Sequence, residues 1–219
     1  SLPLGERKTC LQVAFLMGLP VKSAFALLLT RVTEPRTSKF MRLEVYIMQR
    51  TISAMVGKGS VNHNSRKFKA ENVDGSRTHL NIDYCNENIK KVYHDLFDEA
   101  LERYNDKQTR ADRKIENYYE KIRNSKQEKP FHELILQIGD KENMSAESEN
   151  GELARQILDE YYSGFQERNP NLKVFSAHLH MDEATPHLHI DFVPFTTGSK
   201  RGLDTRVSLK QALAAQGFK

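Results

Sequence analysis

From residue 48 onward, apolar and polar positions fall into short alternating runs and longer helical repeats. TISAMVG at 51–57 is short, apolar and closed by Gly57 and Gly59, which predicts a strand. THLNIDY at 78–84 places Leu80, Ile82 and Tyr84 on one face and predicts a second. From Asn86, the residues Ile89, Val92, Tyr93, Leu96, Phe97, Ala100, Leu101 and Tyr104 recur at three- and four-residue steps, the pattern of an amphipathic helix. Ile115, Tyr118, Tyr119 and Ile122 predict another helix over 109–124. HELILQI at 132–138 follows the breaker Pro130 and alternates as a strand, and 140–151 reads as a polar loop. A third helix carries Leu153, Ile157, Leu158, Tyr161 and Phe165 and ends at Asn169-Pro170. Two further strands are expected over 174–180 and 187–193.

Residues 1–47 do not share this texture. Arg7 and Lys8 precede a mostly apolar stretch at 10–29 that superficially resembles a signal sequence, but Gln12, Pro20 and Lys22 interrupt it. A spanning helix needs about 20 nearly uninterrupted apolar residues, so a transmembrane reading is rejected. Residues 1–47 are read as a leader outside the core, and 48–219 as one folded unit. The helix-like SLKQALAAQGFK runs up to Lys219, as though the chain were cut short there.

Composition narrows the class. A chain of 219 residues with 38% hydrophobic and 28% charged residues can bury a core and is neither disordered nor a membrane bundle. Its net charge of +4 is unevenly spread: residues 49–80 hold six Lys or Arg against two acids and 196–219 hold five against one, whereas 140–168 hold three against eight. Two basic segments flanking an acidic one suit a polyanionic partner facing one side. Cys10 and Cys85 form no C-x-x-C pair, which argues against a disulfide framework and favours a cytoplasmic protein.

Histidine placement carries the chemistry. Four of the eight histidines lie between His178 and His189, in AHLHMDEATPHLHIDFVPF. As strands, 174–180 and 187–193 each have one apolar face and one imidazole-bearing face, because side chains alternate with period two. MDEATP supplies the turn residues Asp182 and Pro186, so the two strands are expected to form a hairpin with His180 opposite His187 and His178 opposite His189. Opposed residues have Cβ atoms about 4.5–5.5 Å apart, close enough for several imidazoles to reach one ion. With Glu183 nearby and no thiolate, the set suits a first-row divalent cation and leaves positions open for a substrate oxygen.

HMDEATPHLH, His180 to His189, resembles the H-x-D-E-x-x-P-H-x-H signature of the mobilisation and plasmid-recombination relaxases, the Mob/Pre (MobV-type) group of HUH endonucleases. HNSR, His63 to Arg66, resembles that group's H-N-x-R motif, and SRTHLNID, Ser76 to Asp83, is similar to the segment between them. The resemblance implies an α+β fold, a central antiparallel sheet flanked by helices with the histidines on one sheet face. It also implies an activity: metal-dependent nicking and rejoining of one DNA strand at an origin of transfer, through a covalent link to the 5′ end. It further implies His180, His187 and His189 as ligands of a divalent metal cation, Mn2+ or Mg2+ first and Zn2+, Co2+ or Ni2+ next, with no small-molecule cofactor. Glu183 would be a supporting carboxylate or proton acceptor, His63 the nucleophile and Arg66 a phosphate ligand, while His178 has no assigned role. Tyr46 and Tyr84 are the alternative nucleophiles, since most of the wider superfamily uses tyrosine. Lys58, Lys67, Lys69 and Arg77 near the first motif, and Lys200, Arg201 and Arg206 after the last, are expected to neutralise backbone phosphates of single-stranded or supercoiled origin DNA.

Competing readings are a rolling-circle replication initiator of the same superfamily, a non-catalytic DNA-binding module with a structural metal, and a metal-dependent oxygenase or hydrolase. The last leaves HNSR without a role. A membrane partner is not expected for this fragment, and the sequence specifies no oligomeric state.

Overall fold

The two histidine-bearing segments form the centre of the sheet. In the computed structural model, which describes residues 52–218, β4 (Leu172–His180) and β5 (His187–Thr196) pair antiparallel, with His180 opposite His187 and His178 opposite His189. This is the register that symmetric folding about MDEATP requires. A bulge between Val174 and Ser176 shifts the lower half of the ladder. The leader, the boundary placed at residue 48 and Tyr46 lie outside the described residues.

The remaining strands are β1 (Ile52–Val56), β2 (Ile82–Asn86), β3 (His132–Ile138) and the short β6 (Arg206–Val207). The sheet order is β1-β3-β5-β4-β2, antiparallel throughout, with β6 added to the far end of β5 at Phe195 and Thr196. β5 is thus flanked on both sides by hydrogen-bonded neighbours. Leu134, Leu136 and Ile138 of β3 share a face with Leu188 and Ile190 of β5, all buried, and each such side chain contributes about 1.5–3 kcal/mol on leaving water.

Helices cover both faces. α1 (Val61–Asn64), α2 (Ile89–Asp106) and α3 (Tyr118–Arg123) precede β3, and α4 (Glu149–Ser163), α5 (Phe165–Arg168) and α6 (Leu209–Ala215) follow it in the chain. Val92, Tyr93, Phe97 and Ala100 of α2 and Tyr118 and Ile122 of α3 pack with Phe175, Val193 and Val207 into one buried cluster. Val193 has the same strand parity as His187, His189 and Asp191. One face of β5 is therefore imidazole-bearing at one end and apolar at the other. The α+β fold with a helix-flanked antiparallel sheet is as the sequence implied.

Several elements differ from the sequence expectations. The segment 78–84 does not run as a strand: Thr78–Leu80 is a 3-10 turn and β2 starts at Ile82. The turn forms because the Arg77 guanidinium donates to the carbonyls of Met181 and Ala146, while the Asn81 side chain takes the Met181 N–H. The helix expected over 109–124 shortens to α3. Asn105 donates to the Ile115 carbonyl and accepts from its N–H, satisfying both backbone groups, so helix starts only after Asn117, whose side chain caps Glu120 N–H. The loop at 140–151 ends early, since Ser148 accepts from Gly151 N–H and starts α4 at Glu149. β6 was not foreseen; two residues carry no periodicity. No helix among the described residues is long and apolar enough to cross a membrane.

Candidate active site

Three imidazoles converge at the turn end of β4 and β5. The ligand nitrogens of His180, His187 and His189 all lie within 4.8 Å of one another. In each ring the other nitrogen has an acceptor: His180 Nε2 donates to the Asn64 carbonyl at 2.8 Å, His187 Nδ1 to the Thr185 carbonyl at 2.8 Å, and His189 Nδ1 to Glu133 Oε1 at 2.7 Å. Carbonyl and carboxylate oxygens only accept, so these contacts fix the tautomers and leave His180 Nδ1, His187 Nε2 and His189 Nε2 as bare lone pairs.

That donor set fits a metal cation. His180 Nδ1 and His187 Nε2 face each other at 3.3 Å, two lone pairs that repel unless a positive charge lies between them. His189 Nε2 is buried with no hydrogen-bond partner among the described residues. Burial, reinforced by His189, His187 and Arg66, holds His180 down at about 2, and burial also depresses His187, so both rings are neutral and free to coordinate.

Behind the cluster stands a carboxylate that sequence reasoning missed. Glu133 Oε1 accepts from His189 and, at 2.7 Å, from Asn64 Nδ2; Oε2 accepts from Gly59 N–H at 2.7 Å. Burial alone would raise Glu133, but these donors and the His189 ring outweigh it and hold it below its ordinary value. Gly57 makes the approach possible, because a Cβ there would sit 1.9 Å from Glu133 Oε2. Asp191 lies alongside, accepting from Ser176 Oγ at 2.9 Å and Asn64 Nδ2 at 3.2 Å. Burial, then the neighbouring Glu133 charge, pushes it up to about 6. One signal for Glu133 was present: alternation in HELILQI turns it away from Leu134, Leu136 and Ile138. What was illegible is that β3 neighbours β5.

The first motif lies over this face. α1 carries His63 and the buried Asn64, and the ring of His63 is 6.2 Å from that of His180 and 6.3 Å from that of His189, centroid to centroid. Arg66, at φ 55°, adopts the left-handed conformation, a strained state for a residue with a Cβ. It is held by its side chain: Nε donates to Asp182 Oδ2 at 3.0 Å, NH2 to Asp182 Oδ1 and, at 2.8 Å, to Glu183 Oε1. Burial would raise Asp182, but Arg66 and Asn81 outweigh it and hold it down at about 2. For Arg66, burial is outweighed by the two carboxylates, which raise it further. Glu183 Oε1 is also 3.6 Å from His63 Nε2, 3.6 Å from His187 Nε2 and 3.9 Å from His180 Nδ1. His63, Arg66, Glu183 and the three expected ligands thus share one site.

Other expected residues disperse. His178 is fully buried, with Nδ1 2.6 Å from Asp83 Oδ1, and stands outside the three-imidazole set. Tyr84 points toward α4, its hydroxyl donating to Asp159 at 2.7 Å and its ring stacked on Tyr162, and burial raises its pKa. It has no route to the histidine face. Lys58, Lys67 and Lys69 are exposed on the segment that carries His63. Arg77 is committed to the Met181 and Ala146 carbonyls and to Glu147 at 3.3 Å. Lys200 and Arg201 are exposed at the β5–β6 turn, and Arg206 Nε donates to Ser199 at 2.9 Å. That turn lies past Thr196, seven residues along β5 from His189, or roughly 20 Å.

The chain is similar to known proteins. Residues 58–216 match the family model described as plasmid recombination enzyme, Mob_Pre. Curated relatives named plasmid recombination enzyme type 3, from Staphylococcus aureus and Mammaliicoccus lentus, are 31% identical over 160 residues, covering 71% of this chain and 33% of each relative. The chain therefore spans about a third of their length. Among solved structures, the MobM relaxase domain (MOBV) bound to plasmid pMV158 oriT DNA, in a manganese-bound crystal, aligns at 22% identity with a TM-score of 0.43, covering 77% of this chain and 88% of that one. The family match takes in both histidine motifs and the Glu133 strand, and this chain belongs to the plasmid recombination enzyme (Mob_Pre) family.

Proposed function

We propose that this chain is the catalytic domain of a cytoplasmic relaxase that nicks and rejoins one strand of plasmid or mobile-element DNA at an origin of transfer. The observation that carries the reading is the convergence of three tautomer-fixed imidazoles beneath His63 and Arg66. A divalent cation held by His180, His187 and His189 would polarise a non-bridging phosphate oxygen, and their nitrogen donors suit Mn2+ better than the oxygen-seeking Mg2+.

The chain's own residues supply the rest. Arg66 NH1 lies 3.4 Å from His63 Nε2 and donates to the His63 carbonyl at 3.2 Å, fixing the ring beside a permanent positive charge. With NH1 directed at Nε2, that nitrogen presents its lone pair and Nδ1 keeps the proton. Neutral imidazole is nucleophilic near pH 7 without a strong base. Attack forms an Nε2–P bond and breaks the P–O3′ bond, the 3′ oxygen takes up a proton, and the 5′ end stays on the protein as a phosphoramidate. Rejoining reverses these steps. Glu183 holds Arg66, and its Oε1 lies within 4 Å of His63 Nε2, His180 Nδ1 and His187 Nε2, so it is a supporting carboxylate beside the reacting phosphate. The proton that His63 carries on Nδ1 is shed to solvent once Nε2 is bonded to phosphorus. Asp182 orients the guanidinium.

Incubation with a supercoiled plasmid carrying an origin of transfer and Mn2+, followed by denaturing electrophoresis, tests the proposal. The expected result is a nicked strand with protein on its 5′ end, lost in His63→Ala and in His187→Ala, the latter with reduced Mn2+ affinity. An adduct persisting in His63→Ala would move the nucleophile elsewhere.

A further inference from the structure

Phe68 stands out on the surface beside the site: it is 61% exposed, the most exposed large hydrophobic residue among those described, and is flanked by exposed Lys67 and Lys69. Its backbone is fixed, with its N–H donating to the carbonyl of Asn62, the residue before His63, at 3.0 Å. The left-handed turn at Arg66 brings the chain back in this way, so Phe68 is anchored within one residue of His63. An aromatic ring left in water forgoes the stabilisation of burial, and two adjacent lysines make the patch unsuited to an apolar partner.

We propose that Phe68 is a stacking platform for an unpaired DNA base next to the scissile phosphate, with Lys67 and Lys69 neutralising the flanking phosphates. The inference rests on the reading of this chain as a DNA-nicking enzyme and names how the strand is held. A planar ring between two cations on a rigid backbone is the combination that binds single strands: every base has a π face, and the charges follow the backbone. A base in a duplex has both faces already stacked, so Phe68 selects a single-stranded segment at the nick. Phe68 positions; it does not touch the reacting atoms.

The chain contains no tryptophan, so Phe68→Trp introduces a single reporter. Titration of that variant with single-stranded (dT)20 should quench its fluorescence, whereas an abasic oligonucleotide of the same length should not. Phe68→Ala should bind (dT)20 about 5- to 150-fold more weakly than the parent chain, the equivalent of one stacked base, with the salt dependence of binding unchanged. Phe68→Tyr should restore affinity. Equal quenching by abasic and base-bearing strands, or unaltered affinity in Phe68→Ala while the parent chain binds, would overturn the stacking role and leave the nicking proposal standing. Failure of the parent chain to bind either strand at low salt would overturn both.

Discussion

Replacing Glu133 by glutamine changes one charge at nearly constant shape, at a group that touches the cluster only through His189. Oε1 accepts two donors, Asn64 Nδ2 and His189 Nδ1, both at 2.7 Å, and Oε2 accepts Gly59 N–H at 2.7 Å. A glutamine has one acceptor. If its oxygen keeps the first pair, its NH2 meets the Gly59 N–H donor to donor; if it turns over, two donors lose their partner. The better orientation leaves one buried N–H unsatisfied, which costs about 1–3 kcal/mol of stability. His189 also loses the charge that makes it a better electron donor, and removal of such a partner typically weakens metal binding about 10- to 100-fold. Calorimetric titration with Mn2+ at pH 7 measures this, with urea unfolding reporting stability in parallel. A folded Glu133→Gln protein whose Mn2+ affinity stays within about threefold of the parent would refute the account of His189 as a carboxylate-tuned ligand.

Asp182→Asn removes the bidentate partner of a strained, largely buried Arg66; nicking should fall about 10- to 100-fold with Mn2+ affinity little changed, and an equal loss of both would contradict the division of labour. Tyr84→Phe should leave adduct formation intact and cost about 0.5–1.5 kcal/mol in urea unfolding, because its hydroxyl serves Asp159 on α4. Acidification of metal-free protein should be destabilising between about pH 6.5 and 4. His180, His187 and His132, the last held at about 4 by burial and then Lys129, refuse protons that the unfolded chain accepts. Asp191, pushed up to about 6, acts the other way by taking a proton in the fold first. His180 and His132 against Asp191 leave a net loss of roughly 1–1.5 kcal/mol per pH unit, His187 acts in the same direction, and a flat unfolding midpoint over that range would contradict these directions.

The hairpin and its face were legible because period-two alternation and a short turn leave one register: His180 and His187 had to meet. The long α2 repeat was equally readable. Asn105 clasping Ile115, and Asn81 and Arg77 bracing Met181, were not, since side chains that cap distant backbone groups leave no periodic trace. The same holds for the site. The imidazole-bearing hairpin declares itself by residue type and spacing, and the motif resemblance pointed to His63, Arg66 and Glu183 beside it, whereas Glu133 becomes meaningful only once β3 is known to lie beside β5. Lys200, Arg201 and Arg206 look continuous with the ligands in sequence, yet β5 carries them to its opposite end.

β5 bears two of the three imidazoles proposed as ligands and is laddered on both sides by β3 and β4. Backbone amides at His187 to Asp191 can exchange with solvent only when the sheet itself ruptures, so the cage for the ion has no soft wall along its floor. On the proposed reading, ions and phosphates would arrive and depart from above, past the segment bearing His63 and the MDEATP turn. With the cation held as proposed, its ligands would stand in place before any DNA is present.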